Sequence, residues 1–141
     1  MILLASDHAA VNLRRSIAEH VVTLGFDVQD LGVEDGRSVD YPDFAHELAE
    51  KIAHGQADRG ILICGTGLGM SITANRHPGV RAALCHDAYT AEMARRHNDA
   101  NILCMGSRVL GLGVAEQIAS VFLKTAFEGG RHQRRVDKIE I

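Results

Sequence analysis

The sequence predicts an α/β fold, a parallel sheet covered by helices on both faces. Short apolar runs alternate with longer stretches whose apolar residues recur every three or four positions, the signature of β-α-β units. One run, Ile61-Leu62-Ile63-Cys64, is unbroken, as suits a parallel strand buried from both sides. The chain has 141 residues, 46% apolar and 23% charged, ordinary values for one globular domain over 1–141.

The elements follow in order. Residues 1–6 are an apolar run ending in polar residues, a buried strand. Leu13, Ile17, Val21 and Leu24 form a helical stripe that Gly25 closes. Residues 26–31 read as a second strand, and the polar stretch 32–40 as a loop. Pro42 suits a helix start, where the missing N–H costs nothing. Phe44, Leu48 and Ile52 carry that helix to His54-Gly55. The third strand, 61–64, leads into a glycine turn over 65–69 and a short helix over 70–75. Residues 80–84 are a fourth strand. Asp87 can cap a helix running to about His97. Residues 102–105 form a fifth strand, and Val114, Ile118, Val121 and Phe122 mark a long helix. Glu128-Gly129-Gly130 breaks it before a basic tail that ends in another helical turn.

Net charge is −3, aromatics are 4% and tryptophan is absent. That removes the electrostatic and stacking arguments for nucleic acid or an anionic membrane. The three cysteines, 64, 85 and 104, are odd in number and widely spaced. This argues against a disulfide framework and for a reducing, cytoplasmic setting. The first residues lack a basic segment and meet Asp7 early, so no signal peptide is expected. No apolar run approaches the ~18 residues of a membrane span.

Ligands of such sheets sit beyond the carboxyl ends of the strands. Those positions hold Ser6, Asp7 and His8, then Cys64-Gly65-Thr66-Gly67-Leu68-Gly69, then His86 and Asp87, then Ser107 and Arg108. The glycine segment carries the most information. Its glycines let backbone N–H groups face a ligand, and the helix behind adds positive partial charge. A P-loop is excluded because no lysine follows. Met70 stands where a dinucleotide fingerprint needs glycine and a cysteine phosphatase needs arginine. Cys64 at the strand end is aimed into the cradle, where a thiol ionises more readily and can serve as a base.

Other candidates are weaker alone. Asp7-His8 reads as a helix cap beside a surface histidine, and His97-Asn98 as a helix end that complements the dipole. Arg131, Arg134 and Arg135 crowd one short tail, with 131 and 135 on one helical face, a spacing that suits a phosphate. No metal site is expected. His46-Glu47-Leu48-Ala49-Glu50 lacks a second histidine, His86-Asp87 lacks partners, and Cys85 and Cys104 read as core thiols.

Six segments stand in the order and spacing of one family. They are Ser6-Asp7-His8-Ala9, Val39-Asp40-Tyr41-Pro42, Ile63 through Ser71, His97-Asn98-Asp99-Ala100-Asn101, Gly106-Ser107-Arg108-Val109 and Glu128 through Val136. The chain resembles, over essentially its whole length, the type B ribose-5-phosphate isomerases, a group that includes allose and galactose 6-phosphate isomerases. The resemblance implies a three-layer Rossmann-like sandwich with a five-stranded parallel sheet in flavodoxin-like order. That order would bring Asp7 and His8 beside Cys64.

It further implies isomerisation of ribose 5-phosphate and ribulose 5-phosphate through an enediolate, with no metal or other cofactor, in the pentose phosphate pathway. Cys64 matches the base. The 65–69 backbone, with Gly65, Gly67, Leu68 and Gly69, would hold the enediolate oxygen. Thr66 and Asp7 would handle sugar oxygens and their protons, and His97 matches the ring opener. His8, Arg108, Arg131 and Arg135 match phosphate ligands, and Tyr41 and Asn98 pocket residues. Sites of this family lie between two subunits, so a homodimer or dimer of dimers is implied, with the tail 129–141 completing the site. One branch has a glutamate base at the position of Met70, and this chain sides with the cysteine branch. Ala10 replaces a common glycine, and Arg134 adds a third guanidinium beside the pair. The alternatives are a six-carbon substrate such as allose 6-phosphate, or a non-catalytic sugar-phosphate sensor.

Overall fold

The N-terminal apolar run forms β1 (Ile2–Ser6), each of its residues buried. In the computed structural model, residues 1–34 and 36–141 are described; Asp35, within the loop expected over 32–40, lies outside the described residues. β2 (Val28–Asp30), β3 (Arg59–Cys64), β4 (Ala82–Leu84) and β5 (Ile102–Gly106) complete one sheet, every pair parallel, in the order β2-β1-β3-β5-β4. The first three strands stand as in the flavodoxin order. The last two exchange places, so β5 rather than β4 adjoins β3.

Among the described residues there are six α-helices: α1 (Val11–Thr23), α2 (Tyr41–Ala53), α3 (Leu68–Ala74) and α4 (Ala88–Arg96) connect the strands, and α5 (Leu112–Lys124) and α6 (Arg131–Asp137) follow β5. Right-handed crossovers sort them by direction of travel. Connections β1-α1-β2 and β4-α4-β5 step one way, and β2-α2-β3 and β3-α3-β4 the other. Accordingly α1, α4 and α5 pack one face, around Ile17, Val21, Ala91, Ile118 and Phe122. Helices α2 and α3 pack the other, around Leu48, Ile52 and Met70. The result is the three-layer α/β sandwich.

Several boundaries differ from the sequence reading. β2 is shorter than 26–31 and β4 shorter than 80–84, because both are edge strands with a single partner. At Val80 the chain is still turning, its N–H bonded to His77 O at 3.1 Å. Helix α3 begins at Leu68, not 70, because Gly67 takes a left-handed φ of 80° and ends the turn there. Val114 is 44% exposed, while Ala115, Ile118, Ala119, Phe122 and Leu123 face the sheet. The three cysteines are free and buried.

Candidate active site

The β1–β3 register, Ser6 opposite Ile63, puts Asp7, just past β1, level with Cys64, the last residue of β3. The Asp7 N–H donates to Ile63 O at 3.3 Å. The Asp7 carboxylate accepts from Ala9 N–H at 3.0 Å and caps a 3-10 turn, His8–Ala10, ahead of α1. That turn lets neighbours 7 and 8 diverge. Asp7 is buried, while His8 points outward and its Nδ1 accepts from Val39 N–H at 3.1 Å.

Cys64 ends β3 opposite Gly106 and is only 6% exposed. Its Sγ accepts the Gly67 N–H at 3.1 Å, so the left-handed glycine turns its donor onto the sulfur. Thr66 is exposed, and its Oγ1 accepts from Leu68 N–H at 3.3 Å. Strand β5 shapes the other wall. Ser107 N–H donates to Cys64 O at 2.8 Å, and Arg108 N–H to Gly65 O at 3.0 Å. The Arg108 guanidinium lies over Gly65, 3.2 Å from where a Cβ would stand. Tyr41, at the start of α2, lies over Gly69, where a Cβ would be 2.4 Å from the ring. A cavity of about 530 Å³ beside the turn is lined by His8, Asn12, Arg15, Ser107 and Arg108. Tyr41 and Leu68, over and in the turn, are apolar and exposed, as are Ile72, Val109 and Leu112 a few residues further along α3 and after β5.

The remaining candidates form a second group at the other end of the sheet. His97 caps the C-terminus of α4, where the chain enters β5. Cys64 pairs with the far end of β5, so the two groups stand apart by at least that strand, about 13 Å at ~3.3 Å per residue. His97 stacks on buried His132 of α6, ring centroids 4.2 Å apart and planes 12° apart. Glu128 joins them, its two carboxylate oxygens each 3.9 Å from one histidine Nε2. Arg96 holds Glu128 at 3.2 Å. Asn98, Arg131, Arg134 and Arg135 are exposed beside this group. The structure thus unites Asp7, His8, Tyr41, Cys64, Thr66 and Arg108 at one pole and His97, Asn98, Arg131 and Arg135 at the other.

Burial, helped by the facing His97 and Arg131, holds the His132 imidazole below its ordinary pKa. Burial pushes Cys85 up to about 11 and drives Cys104 upward too, which fits their reading as inert core thiols. Among the described residues, His97, Glu128 and His132 form the one trio with metal-ligand atoms within 4.8 Å of one another. Glu128 stands 3.9 Å from each ring, wider than the roughly 3.4 Å that separates ligand atoms around a tetrahedral ion at ~2.0–2.1 Å.

Two residues of this second group, Glu128 and His132, lie in a segment singled out in the sequence but drew no individual role there. Helical spacing could not have found the pair, because Glu128 lies outside α6, beyond Gly129 and Gly130 with their positive φ, and the turn they make brings its carboxylate to His132.

The sequence matches a family model, Ribose/Galactose Isomerase, over residues 2–139. The solved ribose-5-phosphate isomerase B of Clostridium thermocellum superposes with a TM-score of 0.95 at 53% identity, covering 98% of this chain and 93% of that one. Ribose-5-phosphate isomerase B of Escherichia coli is 46% identical over 94% of this chain and 89% of its own length. A D-erythrulose-4-phosphate isomerase of Pectobacterium atrosepticum is 42% identical over 98% and 91%.

Proposed function

The chain belongs to the ribose/galactose isomerase family, and from that premise we propose that it interconverts ribose 5-phosphate and ribulose 5-phosphate with Cys64 as the base. The observation that carries this reading is a buried thiol at the mouth of a glycine turn, with an N–H already on its sulfur. An aldose–ketose isomerase must move one proton between C2 and C1. The sugar ring opens first. The C1–O4 bond breaks, O4 gains a proton and the C1 hydroxyl loses one, with His97 as the donor to O4. The Cys64 thiolate then takes the C2 proton. The C1 carbonyl oxygen becomes the enediolate oxygen, held by N–H groups of the 65–69 turn. One well-placed donor of this kind contributes roughly 2.7–4 kcal/mol. Cys64 returns the proton to C1, while Asp7 and Thr66 move protons between O1 and O2. The phosphate takes the guanidiniums of Arg108, Arg131 and Arg135 with His8, and Tyr41 and Asn98 border the sugar.

The active unit of this reading is a homodimer. His97 and the tail arginines are a strand's length from the Cys64 of their own chain, so they serve the Cys64 of a second copy. The apolar side chains left exposed at the cradle, Leu68 in the turn and Tyr41 over Gly69, support this. Ribose is the favoured substrate, with allose 6-phosphate and, given the Pectobacterium relative, a four-carbon phosphate as competitors. A cytoplasmic setting suits three unpaired cysteines.

The test is complementation. Cys64→Ala and His97→Ala each lose ribose 5-phosphate turnover. Unfolded together and refolded, they regain about a quarter of wild-type activity, because half the random dimers are mixed and each holds one intact site. Failure to regain activity counts against the shared site. Full activity in Cys64→Ala counts against the base.

A further inference from the structure

Asp99 is the one non-glycine residue with positive φ, 45°, among the described residues. It follows directly on His97 and Asn98. Its left-handed step reverses the chain after α4, so that the Ala100 N–H donates back to Ala94 O at 2.9 Å and β5 can begin. Glycine would accept that backbone without strain, so the turn alone does not call for aspartate. The carboxylate has other partners. Arg95 of α4 donates to one oxygen at 3.0 Å, and Arg81, just before β4, approaches the other at 3.4 Å. The Arg81 Nε also donates to the Asp99 carbonyl at 2.9 Å. Both arginines are themselves fixed. Buried Arg95 donates to Thr125 O at 3.2 Å and lies over the Phe122 ring, and Arg81 pairs with Glu140 at 3.5 Å.

We propose that Asp99 is a positioning residue of the isomerase site: gripped between Arg81 and Arg95, it fixes the turn that aims His97 and Asn98 at the sugar. This rests on the reading of His97 as ring opener. Asp99 acts through His97 and leaves Cys64, at the other end of β5, untouched. The two steps can be read separately. Ribulose 5-phosphate is an open chain, because the C5 oxygen that would close a five-membered ring carries the phosphate. Exchange of its C1 hydrogen with D2O therefore needs the base and no ring opener.

Asp99→Gly keeps the backbone relaxed and removes only the ion pairs. It is expected to lower kcat on ribose 5-phosphate roughly ten- to a hundredfold, the scale of a misaimed catalytic group. Exchange from ribulose 5-phosphate stays within about threefold of wild type, and adding His97→Ala lowers turnover no further than His97→Ala alone. Ribose 5-phosphate turnover within about twofold of wild type overturns the proposal. So does an equal loss of turnover and exchange, which marks a merely structural residue. His97→Ala separates the two layers. If it turns over ribose 5-phosphate normally, the ring-opener reading itself fails and the positioning role falls with it. If it shows the selective loss and Asp99→Gly does not, only the positioning role fails.

Discussion

Arg14 has no exposed surface, yet each of its guanidinium nitrogens is satisfied. Nε meets Asp30 at 3.0 Å, Nη1 the Ser6 Oγ at 2.7 Å, and Nη2 the Val33 carbonyl at 2.7 Å. Ser6 in turn donates to the Asp7 carbonyl at 3.0 Å. One buried charge thus ties β1, the end of β2 and the peptide that delivers Asp7. Gly32 makes room for it, since a Cβ there would sit 2.2 Å from Nη1. Arg14→Ala should cost on the order of 3 kcal/mol, through unpaired buried groups and lost packing, as read by urea denaturation. The helical stripe of Leu13, Ile17, Val21 and Leu24 was legible in the sequence. Arg14 beside it was not, because its partners are 16 and 19 residues away and chain spacing carries no sign of them.

At the scale of elements, the glycine turn lies directly on the end of β5. A Cβ on Gly106 would stand 2.7 Å from the Thr66 carbonyl, and one on Gly67 2.9 Å from Met105 O. Both neighbours are backbone and cannot step aside as a side chain would. Gly106→Ala should therefore lift the Cys64 cradle off the strand, costing about 1–3 kcal/mol in stability and lowering kcat as well. Gly113→Ala, near the start of α5 with nothing within 4 Å, is the control and should be neutral or stabilising in the same melts and assays. Strands, helices and the turn were legible here because each has its own local pattern. The exchange of β4 and β5 was not, since short apolar runs such as Ile102 to Met105 say nothing about which neighbour they take. The distance of His97 from Cys64 was implicit in the alternation. A residue leading into a strand and a residue leaving one lie at opposite ends of a parallel sheet.

The whole molecule carries titratable groups, some buried and some half-buried, that bound its stable pH range. Burial, with His46 2.7 Å away, lowers His77, and burial with His97 and Arg131 lowers His132. A histidine held neutral in the folded state contributes stability that is complete above its unfolded pKa, near 6.5, and is lost as pH falls through the folded value. Cys85 behaves in the opposite sense. Its raised pKa contributes stability present below 9.0 and lost as pH climbs toward about 11. Urea midpoints between pH 5 and 11 should show a plateau from about 6.5 to 9 with a decline on each side, and Cys85→Ala should make the alkaline arm shallower, leaving the share that buried Cys104 contributes. The two poles joined by β5 have a kinetic corollary. When each reaction centre draws on two chains, output below the dimer dissociation constant follows the square of chain concentration, so tenfold dilution there cuts the rate about a hundredfold. A cell that halves its supply of chains in that regime keeps only about a quarter of the flux.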